Sequence, residues 1–250
     1  MAVFSGPKIV TSGLLLQVDA ANLRSYPGSG ATWTDLISGS FSLVNNSYYT
    51  YSANNNGSIS FSRTMPGATE TGGYASRSVS GALSALTYFH NNHTTEVWFF
   101  IKNTAPTNYD ATETSSALLV HTGYHGGFEY TSGGISYLLW GNNGSGGWTA
   151  NAVGITTPAA NTWNQIVATR NGSTLSMYLN GVLGTTGTIT LDSSTTPTSN
   201  TLRIATAGDS AGLYSHHADV NVSLARMYNI SLTAAEVAQN FNATRGRFGI

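Results

Sequence analysis

Two hundred and fifty residues carrying ten Lys+Arg, eleven Asp+Glu and a net charge of −1 lack the cationic stripe that nucleic acid or an anionic membrane surface would require. There is no cysteine, which excludes a disulfide framework, thiolate-held zinc, iron–sulfur clusters and a cysteine nucleophile. Only 8% of the residues are charged, against about 25% in an average soluble protein; 30 Ser, 33 Thr, 22 Asn and 28 Gly must therefore supply most water-facing positions, a neutral surface suited to an extracellular or virion protein.

The first thirteen residues hold one lysine, Lys8, and no apolar run of signal-peptide length. No segment reaches the run of about 18 apolar residues that a membrane span needs, so the chain is expected to be made in a cytoplasm and to have no span. From there on, short runs rich in Val, Ile, Thr, Tyr, Phe and Trp recur between Gly, Asn and Ser punctuation, the pattern of an all-β antiparallel sandwich. In chain order the predicted strands are Gly13 to Asp19, Ser40 to Val44, Ser58 to Ser62, Thr95 to Lys102, Ala117 to His121, Gly127 to Thr131, Gly134 to Trp140, Asn164 to Arg170, Thr174 to Leu179, Thr201 to Ala205 and Ala218 to Asn229. The run from Glu96 to Ile101 is almost continuously apolar, so that strand is expected to be covered on both faces or to lie at a sheet centre. Asn171-Gly172 and Asn180-Gly181 are tight-turn pairs that make Trp163 to Thr186 a three-stranded meander. Asn103 to Ser116 and Asp192 to Asn200 read as long surface loops.

One helix is expected, from about Ala234 to Asn242 and ending near Gly246. Thr233 and Glu236 form a capping box, and Leu232 staples onto Val237. Nothing divides the chain, so residues 1–250 read as a single domain with 1–12 as an N-terminal arm and 243–250 as a C-terminal tail.

Several motifs bear on chemistry. The five glutamates and six aspartates have no acidic neighbour at the spacing that would place a nucleophile and an acid on one strand face about 5 Å apart, so no catalytic residues are assigned. Gly208-Asp209-Ser210-Ala211-Gly212 matches the nucleophile-elbow pattern, but the residues after it read as loop and strand where an elbow needs a helix; it reads as a turn. His90 with His93, His121 with His125, and His216 with His217 read as surface or core polar residues, the sharper alternative being a metal shared on a trimer axis. The loop from Trp140 to Trp148 joins two aromatics to Asn142 and Asn143, with Tyr124 and His125 near it in the chain. Rings on which a sugar stacks and amides that fork hydrogen bonds to it make these six residues the candidate carbohydrate site.

The run Asn161 to Gly172, followed by Met177-Tyr178-Leu179-Asn180-Gly181, resembles the central meander of laminin-G-like, or concanavalin A-like, jelly rolls. Ala225 to Asn229 with Leu232 to Glu236 resembles their closing strand and short helix, and Thr95 to Ile101 their early core strand. Gly6 to Val10, Gly13 to Ala21, Ser25-Tyr26-Pro27-Gly28-Ser29-Gly30, Trp33-Thr34-Asp35-Leu36 and the ending Gln239 to Gly249 resemble laminin-G-like structural proteins of tailed bacteriophages, notably those of cyanobacteria. The resemblance implies a concanavalin A-like jelly-roll sandwich and a non-enzymatic virion protein, decorating the capsid or forming a tail or fibre appendage. It would be a homo-oligomer, such as a trimer, with other virion proteins as partners. A carbohydrate-binding adhesin for host-surface glycans is the alternative, and a glycan hydrolase comes third. The resemblance also implies a rim calcium near Asp209 and Asp219, which acid-poor loops would bind weakly through carbonyls; no other cofactor is expected.

Overall fold

The computed structural model describes residues 7–64, 71–102, 115–121, 126–131, 133–142, 148–189, 200–207 and 217–250. Its strands are β1 (Leu14–Asp19), β2 (Thr32–Thr34), β3 (Ser40–Val44), β4 (Tyr49–Ser52), β5 (Ser58–Phe61), β6 (Arg63–Thr64), β7 (Thr71–Gly72), β8 (Tyr74–Ser78) and β9 (His93–Ile101). They continue as β10 (Ser115–His121), β11 (Gly126–Thr131), β12 (Gly134–Asn142), β13 (Trp148–Ile155), β14 (Trp163–Asn171), β15 (Thr174–Leu179), β16 (Val182–Thr188), β17 (Thr201–Ile204) and β18 (Val220–Tyr228). A short helix α1 (Ala85–His90) precedes β9, and α2 (Ala234–Phe248) closes the chain.

Two antiparallel sheets make the sandwich. Sheet I runs β16-β15-β14-β9-β18-β5-β4, with β1 paired to β18 beside β5, and sheet II runs β13-β12-β11-β10-β17-β8-β3-β2. Strand alternation sends every second residue into the space between them. Val97, Phe99, Ile166, Ala168, Met177, Val222 and Met227 of sheet I meet Phe41, Leu119, Phe128, Tyr137, Leu202 and Ile204 of sheet II in one buried core. Burial pushes the Tyr88 and Tyr137 phenols up from their ordinary ionisation range, and both find hydrogen-bond partners there: Tyr137 Oη lies 3.0 Å from Thr95 Oγ1, and Tyr88 donates to the Thr94 carbonyl at 2.6 Å.

The predicted both-face coverage of β9 is observed, and it comes from a third layer. Outward from sheet I, Trp98 stacks on Phe248 (ring centroids 4.1 Å apart) and on Phe241 (5.7 Å), and Trp163 packs against Phe248 (4.8 Å). Beside them Glu96 and Arg226 sit directly opposite each other on β9 and β18, both buried, with Nη1 to Oε1 at 2.8 Å. Gln165 Nε2 donates to the same oxygen at 2.9 Å, and Asn240 Nδ2 of α2 donates to the other at 3.0 Å. Asn240 Oδ1 in turn accepts the Val10 amide at 2.8 Å, and Tyr228 donates to the Val10 carbonyl at 3.2 Å. The amino-terminal arm is thus tied down beside the helix by the same polar cluster.

The capping box forms as expected: Thr233 Oγ1 accepts the Glu236 amide and Glu236 Oε2 accepts the Thr233 amide. The expected end of the helix is corrected. Residues 243–248 are no tail: α2 continues through Gly246 to Phe248 and stops at Gly249, whose φ of 74° supplies the left-handed cap. A mid-helix glycine costs about 1 kcal/mol, and the burial of Phe248 together with the Arg247–Asp19 pair (2.8 Å) outweighs it.

All eleven predicted strands are present, with ends shifted by no more than two residues. In the meander, Asn180 (φ 51°) and Gly181 (φ 76°) form the expected turn with both residues left-handed. The other turn falls one residue later than the Asn-Gly pair, on Gly172 and Ser173, with only Gly172 (φ 59°) left-handed. The opening motif from Ser25 to Leu36 takes structural roles, with Tyr26 and Trp33 buried and Asp35 held by Arg77. The short helix α1, with Ser84 as its N-cap, and the strands β2, β4, β6, β7, β8 and β13 are not among the predicted elements. The predicted loop residues 103–114 and 192–199 lie outside the described residues.

Candidate functional site

Strands β3 and β8 each alternate small polar residues outward with apolar residues inward. In Ser40-Phe41-Ser42-Leu43-Val44, Phe41 and Leu43 enter the core, and in Tyr74-Ala75-Ser76-Arg77-Ser78, Ala75 does. Pairing sets Ser42 opposite Ser76 and Val44 opposite Tyr74. The result is a groove of about 510 Å³ on sheet II, lined by Gly39, Ser40, Ser42, Val44, Tyr74, Ser76, Arg77 and Ser78. No hydrogen bond within the described residues uses the hydroxyls of Ser40, Ser42, Ser76 or Ser78. Four serines on one patch with their hydrogen-bonding capacity unspent are poised for water or a hydroxylated ligand.

The groove walls are fixed. The Arg203 guanidinium lies 5.7 Å over the Tyr74 ring, and the His217 ring lies 5.8 Å from it. At the other end Arg77 Nη1 meets Asp35 Oδ2 at 2.7 Å, while Asp35 Oδ1 accepts the Gln17 and Ile37 amides. Gly39 is required here: a Cβ on it would lie 2.7 Å from Arg77 Nη2, and its φ is 79°.

Of the six residues predicted as a carbohydrate site, Trp140, Asn142 and Trp148 lie on a hairpin of β12 and β13 whose register sets Asn142 opposite Trp148 and Trp140 opposite Ala150. Ile135, Tyr137 and Leu139 of β12 enter the core; the side chains at 140, 142 and 148 lie outside what is described. From β12 to β8 is four strand spacings, about 19 Å. Asn143, Tyr124 and His125 lie outside the described residues. The groove serines and Tyr74 were missed, and their signal was the Ser-x-Ser alternation of 40–42 and 76–78.

The acids and histidines speak to catalysis and metals. Asp19, Asp35, Glu96 and Asp219 each take a cation, from Arg247, Arg77, Arg226 and Lys102 respectively, and Glu236 caps α2. Glu129 stands opposite Ser136 on sheet II. Among the described residues these carboxylates are drawn to separate partners, so a retaining or inverting pair of acids is not assembled from them. Of the two acids named for a rim calcium, Asp219 takes Lys102 Nζ at 2.9 Å; Asp209 lies outside the described residues, as does the whole of residues 208–212. Among the described residues no three His, Asp or Glu side chains cluster for a metal. His93 is a core residue, its Nε2 3.1 Å from the Tyr137 hydroxyl, and His217 is buried; His125 and His216 lie outside the described residues.

Two packed antiparallel sheets with a polar groove on one outer face and a helix across the other define a lectin-like sandwich. The chain belongs to the concanavalin A-like lectin/glucanase superfamily, whose model matches residues 71–238. No curated protein matches it. Among solved structures, the botulinum neurotoxin serotype D/C VPI 5993 binding domain superposes with a TM-score of 0.64 at 11% identity, covering 92% of this chain and 52% of that one. The binding domain of botulinum neurotoxin DC in complex with rat synaptotagmin II gives 0.62 at 12%, covering 92% and 51%. A structure of botulinum neurotoxin type C, whose cell entry depends upon interaction with two ganglioside molecules, gives 0.64 at 10%, with the same coverage. The likeness is one of fold, and this chain spans about half the length of those chains. Among the described residues, no helix is long and apolar enough to cross a membrane.

Proposed function

We propose that the protein is a glycan-binding module that holds its ligand on the outer face of sheet II. The observation that carries this reading is the serine-lined groove, where four hydroxyls without a partner among the described residues share one patch beside a fixed tyrosine. A sugar presents the same hydroxyl chemistry, and a preset, concave polar surface lowers the ordering cost of binding. The superfamily, and solved neighbours that are receptor-binding domains, support it. Because the neighbours are twice as long, their synaptotagmin and ganglioside contacts need not fall in the half this chain resembles. Glycan-array binding diminished in Ser42→Trp, which fills the groove, is the expected result; undiminished binding would refute the groove as a site. Loss in Trp148→Ala would extend the site to the hairpin.

A second reading, the virion decoration or appendage expected from the sequence, draws on the uncharged edge strand β16, Val-Leu-Gly-Thr-Thr-Gly-Thr, on which Val182 and Leu183 are 69% and 52% exposed. Cementing contacts to neighbouring subunits would then be apolar and hydrogen-bonded. Particles lacking the protein should lose heat resistance under this reading; unchanged particles with lost host adsorption would favour the glycan reading.

A further inference from the structure

A second groove, of about 440 Å³, opens at the rim of the sandwich between α1 and the end of β18. It is lined by Ala82, Thr87, His90, Asn91, Asn92 and Asn229, with Tyr88 at its base, and none of these is an acid, a lysine or an arginine. The amides of Asn91 and Asn92 are held in place from behind. Asn91 Nδ2 donates to the Thr87 carbonyl at 2.7 Å, and Asn92 Oδ1 accepts the Gly172 amide at 2.8 Å from the β14–β15 turn. Each keeps further hydrogen-bonding capacity, the Oδ1 of Asn91 and an N–H of Asn92. The Asn229 amide has no side-chain partner among the described residues. Gly13 makes room for it: a Cβ there would lie 2.7 Å from Asn229 Oδ1.

We infer that this rim groove is a separate binding site for a neutral saccharide. Three amides and a threonine hydroxyl supply donors and acceptors side by side, the pattern that adjacent sugar hydroxyls match. A lining without lysine or arginine, whose one basic side chain is the His90 imidazole, gives little counter-charge for a sialylated or phosphorylated ligand, whose desolvation would go largely uncompensated. The volume lies within the roughly 300–1,000 Å³ of small-molecule sites, and two of the three amides are already ordered, which reduces the entropy lost on binding. The site stands on residues distinct from the sheet II groove.

The test is an array of neutral and sialylated glycans, probed with the unaltered protein and with Asn229→Ala and Ala82→Trp. Asn229 and Ala82 are exposed, so both variants should melt as the parent does. For the neutral glycans still bound by Ser42→Trp, in which the sheet II groove is closed, losing one hydrogen bond, worth about 1 kcal/mol, should weaken binding about five-fold on adding Asn229→Ala, and the indole of Ala82→Trp should abolish it by filling the rim groove. Neutral-glycan binding that survives both variants but is lost in Ser42→Trp would overturn the rim site and leave the proposed function standing. Binding confined to sialylated glycans would also overturn the rim site. Silence across the array would overturn both.

Discussion

The two outer faces of the sandwich are built by the same strand alternation and end in opposite states. On sheet I the outward positions are large or ionic: Trp98, Trp163, Leu224, Tyr228, Glu96 and Arg226, all buried beneath α2 and the amino-terminal arm. On the β3–β8 end of sheet II they are Ser40, Ser42, Ser76 and Ser78, exposed or half-exposed; toward the middle of that sheet Ala117, Val120 and Ala207 form a small buried cluster. Large outward residues demand a cover, and the chain supplies one from its own two ends. Small hydroxylated residues can face water, and they leave hydrogen-bonding capacity for a ligand. One face holds the molecule together, and the other is free to serve function.

The largest effect that would test this division is on the buried pair. Glu96→Leu leaves the Arg226 guanidinium buried without its carboxylate, and breaking such a pair costs about 3–5 kcal/mol. A denaturant titration should show that loss, while Glu96→Leu with Arg226→Met, apolar on both sides, should recover most of it. A small loss in the single variant would mean that α2 lifts readily and that sheet I is no more sealed than sheet II.

Asn240 comes next, because it ties three elements at once. Asn240→Leu removes the acceptor of the Val10 amide and a donor to Glu96, at about 1–3 kcal/mol for buried groups left unsatisfied. Hydrogen exchange at Val10 should accelerate well before the sheet amides do. If Val10 stays protected, the arm is held by packing and the polar cluster does not anchor it.

How much of this division was legible in the sequence depends on which residues carry it. The covered state of β9 could be read from the unbroken run Val97 to Ile101, because period-two alternation fails only where both faces are buried. That α2 was the cover could not: Gly246 argued for an early stop, and only the long-range contact of Phe248 with Trp98 shows why the helix continues. Glu96 stood out as one acid in the most apolar strand, but its partner Arg226 lies 130 residues away and register alone brings them together. The groove escaped because β8, the strand opposite Ser42, carries Arg77 at an inward position, which disguises its alternation until Asp35 is seen to receive the charge. Of the stretch from Trp140 to Trp148, the backbone pairing of Asn142 with Trp148 is described, and residues 143–147 lie outside the described residues.

Alkaline unfolding gives a finer comparison. Burial first, and then the nearby Glu96 charge, push the Tyr228 phenol upward from its ordinary value of 10.0; Tyr88 and Tyr137 are raised in the same sense by burial. A native ionisation above the unfolded one means that the stabilisation is complete below about pH 10 and is lost as pH rises further, by about 1.4 kcal/mol per pH unit for each tyrosine. Tyr228→Phe should flatten the fall above pH 10 by one tyrosine's share. An unchanged slope would place the phenol in contact with water, and the seal over sheet I would be looser than its packing implies.

The smallest stability effect belongs to the groove, and there the contrast with binding is the point. Ser76→Ala removes a hydroxyl that bonds nothing among the described residues, so unfolding should shift by less than about 0.5 kcal/mol. If a sugar uses that hydroxyl, its affinity should fall by roughly two- to ten-fold, the equivalent of about 0.5–1.5 kcal/mol for one hydrogen bond. Measured on the same preparation, stability held and affinity lost would assign the serine to function. Stability lost by more than 1 kcal/mol would reveal a hidden structural partner, and the serines of sheet II would then belong with the residues that hold the molecule together.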